Sequence, residues 1–146
     1  MLKAFALLSA LVAPLTGCSS PSTAACGTIS GTYSETETAS SSSSVGSCVT
    51  PAGLTGTVTI TGAGPDHNVT LPGVLGSCPA TSSGCSMSAQ CMVNISDASG
   101  QPSGFAIIMT NWTFSMTGFT GQSTLNLRKS DGTSCMGSFV DTGTKQ

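Results

Sequence analysis

Apolar and polar residues alternate along most of this chain with a period of two, which is typical of β-strands that bury one face. The clearest stretch is residues 86–96, where serine, glutamine and asparagine fill most positions of one face. The opposite face is apolar throughout and consists of Met87, Ala89, Cys91, Val93 and Ile95. Threonine, serine and glycine are abundant while strong helix formers are sparse, so the pattern predicts an all-β protein.

The alternation predicts about seven strands, separated by clusters of turn-forming residues. They cover residues 27–38, 57–61, 68–71, 86–96, 105–117, 124–128 and 135–139. Short hairpin connections favour an antiparallel meander, which either closes as a small barrel or folds over as a sandwich. Alternation fits both, because both bury one face of each strand. Residues 105–109 are apolar on both faces and are predicted to form the most buried strand.

The first predicted strand carries two acids on its apolar face. Glu35 and Glu37 continue the parity of Tyr33, so we expect the strand to bulge or to leave the core after Tyr33. The five serines at residues 40–44 then predict a solvated loop. The two carboxyls lie about 7 Å apart on an extended strand, a spacing that inverting glycosidases use. Solvated acids at a strand end are far commoner, and we predict that arrangement.

The register of the last hairpin follows from keeping apolar residues on one face. A two-residue loop at Asp131-Gly132 would place Cys135 beside Arg128. A three-residue loop, with Gly132 in the left-handed conformation, pairs Leu127 with Cys135 instead. A slip of one residue flips every side chain to the other face, so we predict the three-residue loop, with Cys135 facing the core.

The chain begins with a basic residue, Lys3, followed by a short apolar run at residues 4–14 and then Leu15-Thr16-Gly17-Cys18. The run is too short to cross a bilayer, which takes about 20 residues. A basic start, an apolar stretch and small residues at its end are typical of a secretory signal peptide. Residues 1–17 are therefore excluded from the predicted fold.

The sequence Leu15-Thr16-Gly17-Cys18 resembles the lipobox of bacterial lipoproteins. The resemblance implies that Cys18 receives a diacylglyceryl group and becomes the first mature residue, so the membrane is a partner through a lipid anchor. Ser19, at the position after the lipidated cysteine, implies the outer membrane of the cell envelope rather than the inner one. Residues 18–25 are predicted to be the lipidated cysteine with a flexible tether, and residues 26–146 a single all-β domain.

Cysteine content predicts disulfides, because an exported chain meets an oxidising compartment. Seven cysteines occur, and the six that remain beside Cys18 form an even set. These disulfide candidates are Cys26, Cys48, Cys78, Cys85, Cys91 and Cys135. Cys91 and Cys135 both face the predicted core, and we expect them to pair. Cys78 with Cys85 and Cys26 with Cys48 are expected to close local loops.

Composition argues against several kinds of chemistry. Charged residues make up 7% of the chain and its basic residues are not clustered, which excludes nucleic acid as a partner. His67, the single histidine, falls in a predicted exposed turn, so a catalytic triad is not expected. Met92, Met109 and Met136 offer soft sulfur ligands for Cu(I), but methionine is usually core filler. We predict no cofactor and no metal.

Two functions fit these observations. The first is a lipid-anchored, non-enzymatic envelope protein that serves as a structural or interaction module and binds another envelope protein. The second is a carrier of a small apolar, lipid-like molecule, held in an interior cup. The residues predicted to line that cup are Tyr33, Trp112, Phe114, Met116 and Phe139. An enzyme is not expected, because the chain offers few titratable groups to tune.

Overall fold

The computed structural model describes residues 26–45 and 53–146, which form a closed antiparallel barrel. Eight strands follow one another around the barrel in chain order, and the last strand pairs with the first. The strands are β1 (Gly31–Val45), β2 (Thr55–Ala63), β3 (Asp66–Thr70), β4 (Cys78–Ser83), β5 (Ser86–Ser96), β6 (Pro102–Phe114), β7 (Gly118–Lys129) and β8 (Ser134–Lys145). The all-β prediction is confirmed, and of its two architectures the barrel is the one observed.

The two ends of the barrel differ. At the Cys26 end, where Cys26 enters, tight turns at residues 64–65, 84–85 and 115–117 join neighbouring strands. At the opposite end, which we call the Leu54 end, β1 and β5 to β8 extend well beyond the short strands β3 and β4. Side chains alternate between interior and solvent along each strand, as a barrel requires.

Two segments that were predicted as irregular are strands. Residues 78–83, which lack an apolar alternation, form β4 because β3 and β5 supply partners on both sides. The serines at residues 40–44 continue β1, where they pair with β8 and so close the barrel. The irregularity in β1 is a shift of register between Ala39 and Ser41, with the Ser40 hydroxyl donating to the Ser138 carbonyl oxygen at 2.9 Å.

Residues 105–109 are not the most buried strand, contrary to the prediction. Ala106 faces the interior, while Phe105 and Met109 are exposed on the outer wall. A barrel wall has one solvent face along its whole length, so a strand that is apolar on both faces leaves apolar side chains outside.

The register predicted for the last hairpin is confirmed. Leu127 lies opposite Cys135 in the ladder between β7 and β8. The Lys129 amide donates to the Thr133 carbonyl oxygen at 2.9 Å and closes the loop over residues 130–132. Gly132 has a φ of 87°, the left-handed conformation that a side chain would disfavour.

The three predicted disulfide pairings are wrong. Cys78 bonds to Cys91, and Cys26 bonds to Cys85. The pairing of Ala80 with Ala89 places the interior-facing Cys78 directly opposite Cys91, which takes Cys91 away from Cys135. Cys85 lies in the turn after β4, at the far end of that strand from Cys78.

Two predicted features fall on cysteines that the structure does not describe. Cys18, the predicted lipidation site, and Cys48, the predicted partner of Cys26, lie outside residues 26–45 and 53–146. Cys135 is itself disulfide-bonded. Across the described part of the chain, no helix has the length and apolar character needed to cross a bilayer.

An aromatic cluster fills the barrel toward the Cys26 end. Trp112 and Phe119 stack with their ring centroids 4.4 Å apart, and Tyr33 meets the edges of Phe114 and Phe119 at 5.7 and 5.4 Å. All four side chains are buried. Gly143 on β8 leaves the space that the Phe119 ring occupies, because a Cβ there would overlap the ring.

Candidate functional site

Three acidic side chains meet inside the barrel next to the aromatic cluster. Glu35 and Glu37 on β1 and Asp141 on β8 point inward, and Glu37 is directly opposite Asp141 in the ladder. Glu35 is 1% exposed and Asp141 is fully buried. One carboxylate oxygen from each lies within 4.8 Å of the others. We call Glu35, Glu37 and Asp141 the carboxyl cluster.

The strand geometry explains why these acids are inside. The irregularity in β1 comes at Ser40 rather than after Tyr33, so the inward parity of Tyr33 persists through Glu35 and Glu37. The predicted solvation of the two acids is therefore wrong. Extended pairing with β8 holds this part of β1 in the wall, so Glu35 is buried and Glu37 is half-buried on its inner face.

Hydrogen bonds satisfy two members of the carboxyl cluster. The Trp112 indole N–H donates to Asp141 Oδ2 at 2.7 Å, and the Ser123 hydroxyl donates to Oδ1 at 3.0 Å. Glu37 accepts from the Leu54 amide at 3.2 Å, and its Oε1 atom lies 3.4 Å from the Ser123 hydroxyl oxygen, whose single proton it shares with Asp141. These bonds fix the orientation of both carboxyls relative to β6 and β7.

Glu35 has no such partners. Both of its carboxylate oxygens are buried and accept no hydrogen bond from the described residues. The Thr110 hydroxyl, on a side chain that is 1% exposed, also lacks a hydrogen-bond partner among them. Thr110 lies opposite Ser123 in the ladder between β6 and β7, and both side chains face the interior. A buried polar atom without a hydrogen-bond partner lowers the stability of the fold, so the unpartnered atoms of Glu35 and Thr110 are candidates for ligand contacts.

Burial and mutual repulsion raise the proton affinity of the carboxyl cluster. Burial, with smaller contributions from the charges of Glu37 and Asp141, raises the pKa of Glu35 to about 8. Burial also raises the pKa values of Glu37 and Asp141, against the opposing effect of their hydrogen bonds. At neutral pH the cluster therefore retains protons, unless a positive charge offsets the repulsion between the carboxylates.

The geometry does not favour an inverting glycosidase. Inverting glycosidases hold their two carboxyls about 6.5–9.5 Å apart with a sugar and a water between them. Here the oxygens lie within 4.8 Å, and a cavity of about 70 Å³ adjoins Glu37. Such a space is far below the ~300 Å³ of a small ligand pocket.

The residues predicted to line a ligand cup have separate surroundings. Tyr33, Trp112 and Phe114 pack into the aromatic cluster, and Phe139 borders the cavity beside Glu37. Met116 lies in the turn between β6 and β7 and is exposed, so it does not face the interior.

His67 is buried on β3, although its neighbours predicted an exposed turn. Its Nε2 atom lies 3.0 Å from the Ser82 hydroxyl oxygen, next to a surface cleft of about 320 Å³ at the Cys26 end. Its Nδ1 atom has no hydrogen-bond partner among the described residues. A catalytic triad needs an acid at that nitrogen to hold the imidazole, so this pair shows two of the three required roles.

The outer wall of the long strands carries the largest exposed apolar side chains of the sheet. Met92 is 68% exposed on β5 and Met136 is 55% exposed on β8, with Ile107 and Asn126 between them in the same row. Three strand spacings of about 4.8 Å separate the backbones of Met92 and Met136, whose side chains point outward, so they are not placed to share one copper ion. The outward side chains of β7 between these two methionines are polar, so the contiguous apolar part of the surface lies on β5 and β6. We call it the outer apolar face; its residues are Met92, Phe105, Ile107 and Met109.

No family model matches this chain, and neither does any curated protein or solved structure. The site must therefore be interpreted from its own geometry. Sequence reasoning found Glu35 and Glu37 as a pair but missed Asp141, Ser123 and Thr110. Asp141 was detectable, because it shares the parity of Phe139 on the last strand.

Proposed function

We propose that the protein is a lipid-anchored barrel of the bacterial cell envelope that acts as a non-enzymatic interaction module. The anchor rests on the resemblance of Leu15-Thr16-Gly17-Cys18 to a lipobox and on Ser19, which favours the outer membrane. The observation that carries the interaction role is the outer apolar face. Contiguous exposed apolar side chains are typical of protein interaction sites, and the four residues of this face are neighbours on β5 and β6.

The interior supports this function over that of an apolar-ligand carrier. The aromatic cluster occupies the barrel where a carrier would hold its ligand. Beyond it, the interior cavity of about 70 Å³ is lined by Glu37, Ile108, Leu125 and Phe139 among others. A carrier that encloses a lipid-like molecule requires a space several times larger.

Acylation of Cys18 is tested by metabolic labelling. We expect the full chain, expressed in a lipoprotein-processing bacterium, to incorporate labelled palmitate and to sediment with the outer membrane. The Cys18→Ser variant should lose both properties, because two or more acyl chains are what gives stable anchoring. A wild-type chain that stays unlabelled and soluble would contradict the anchor.

Disulfide mapping provides an independent control on the anchor. Cys135 is disulfide-bonded while the other described cysteines pair among themselves, and Cys18 and Cys48 are the cysteines that remain. Val45 pairs with Ser134 next to Cys135, and the three residue steps from Val45 to Cys48 can span at most about 10 Å. We expect non-reduced peptides that link Cys48 to Cys135. A link from Cys18 to Cys135 would exclude acylation.

The outer apolar face is tested by site-specific photocrosslinking in intact cells. A photoreactive residue in place of Met92 or Met109 should give discrete adducts with another protein. The same residue in place of Thr61 or Asn68, which are exposed on β2 and β3, provides the matched control. The interaction role fails if the two pairs of positions give the same products, or if the apolar positions crosslink only to lipid.

A further inference from the structure

We propose that the carboxyl cluster binds a divalent cation of the calcium class inside the barrel. Oxygen atoms from Glu35, Glu37 and Asp141 all lie within 4.8 Å of one another. One ion bound at about 2.4 Å from each oxygen spans such separations. The ion would displace the protons that the cluster retains without it and neutralise most of the negative charge of the ionised carboxylates.

A second observation points to a ligand at the same place. The Thr110 hydroxyl is not part of the acidic set, is 1% exposed and has no hydrogen-bond partner among the described residues. It faces the interior beside Ser123, whose hydroxyl contacts both Asp141 and Glu37. Together with the two unpartnered oxygens of Glu35, these atoms supply the lone pairs that a cation requires.

The donor set selects among metals. Carboxylate and hydroxyl oxygens are hard ligands, which suit calcium and disfavour the ions that prefer imidazole or thiolate. Magnesium usually keeps several of its water ligands, and side chains as buried as Glu35 and Asp141 leave little room for them. Calcium and the lanthanides accept irregular, protein-rich coordination, so they fit this interior best.

The cluster also has an approach from solvent. Glu37 and Ser123 border the cavity of about 70 Å³, together with Leu54, which is exposed at the barrel rim. The Leu54 amide is also a hydrogen-bond donor to Glu37.

Terbium luminescence provides a direct test on the full chain with its disulfides intact. Trp112 is the single tryptophan and lies 2.7 Å from Asp141, so excitation of its indole should sensitise Tb³⁺ bound at the cluster. We expect sensitised emission that calcium abolishes by competition and that equal magnesium leaves largely intact. Calcium at one hundred times its dissociation constant should also raise the thermal midpoint of unfolding by about 10 °C.

Variants separate the buried site from surface binding. Glu35→Gln and Asp141→Asn should lose the sensitised emission, whereas Asp97→Asn, at an exposed turn, should retain it. Near-ultraviolet circular dichroism of Trp112 reports whether each variant is folded. The proposal is overturned if the wild-type chain shows neither emission nor a thermal shift with calcium. Emission that survives in the folded Glu35 or Asp141 variant overturns it as well. The wild-type results decide the matter if these variants do not fold.

Discussion

The metal-free barrel should become less stable as the pH rises from about 4.5 to about 8. Burial, and secondarily the charges of Glu37 and Asp141, raise the pKa of Glu35 to about 8 in the folded chain, against 4.5 as its ordinary value. The folded state therefore holds this proton more tightly than the unfolded state. The stability that it contributes is complete below about pH 4.5 and is lost as the pH rises through about 8.

The size of this effect has an upper bound. A tenfold change in proton affinity corresponds to about 1.4 kcal/mol, so Glu35 alone accounts for at most ~5 kcal/mol. Glu37 and Asp141, whose pKa values burial also raises, act in the same direction. Hydrogen bonds lower the pKa values of Asp97 and Asp131, so the stability that these two ionised carboxylates contribute is lost only when the pH falls below their ordinary pKa range. The stability maximum should therefore lie near pH 4–5.

Urea unfolding in the presence of a chelator measures this dependence. The Glu35→Gln variant, which cannot ionise at that position, should show a much flatter pH profile and should exceed the wild-type chain in stability at pH ~8. A wild-type profile that instead rises from pH ~5 to ~8 would show that the three carboxyls are not enclosed as described.

Replacing Trp112 by alanine should lower the free energy of unfolding by about 3–5 kcal/mol. The ring stacks on Phe119 and meets Phe114, so its removal leaves a cavity in the aromatic cluster. Its indole N–H also donates to Asp141, which would keep only Ser123 as a hydrogen-bond donor. Chemical denaturation followed by circular dichroism gives the value.

Two further variants divide this loss into its parts. Trp112→Phe retains an aromatic ring but removes the donor, and we expect it to cost about 1.5–3 kcal/mol, the range for a hydrogen bond to a charged group. Met109→Ala changes the same strand on its exposed face and should stay within about 0.5 kcal/mol of the wild-type chain. Equal losses in the Trp112→Ala and Met109→Ala variants would contradict the packing described for Trp112.

Features that depend on neighbouring residues were predictable from the sequence. The alternation of residues 86–96 corresponds to β5, and the loop chemistry of Ser130-Asp131-Gly132 fixed the register of the last hairpin. Both rest on strand parity and turn conformation, which a short window of sequence encodes.

Features that depend on distant partners were not predictable in this way. β4 has little apolar alternation, and the serines of β1 resemble a linker until β8 pairs with them. Without β4, Cys78 had no strand position, and its place opposite Cys91 stayed hidden. Burying a charged side chain is usually costly, so residue type alone predicted that Glu35 is exposed to solvent. Closure of the barrel places this side chain inside instead.

The Cys26–Cys85 disulfide has a mechanical consequence. Tension on the residues that precede Cys26 reaches the barrel through β1 and, by way of this covalent bond, through the turn between β4 and β5. The load is thus divided between opposite sides of the wall. The first and last strands, β1 and β8, meet in one ladder. A pull from the amino terminus therefore does not act on the pairing of β1 with β8 alone, because the turn between β4 and β5 takes part of the force.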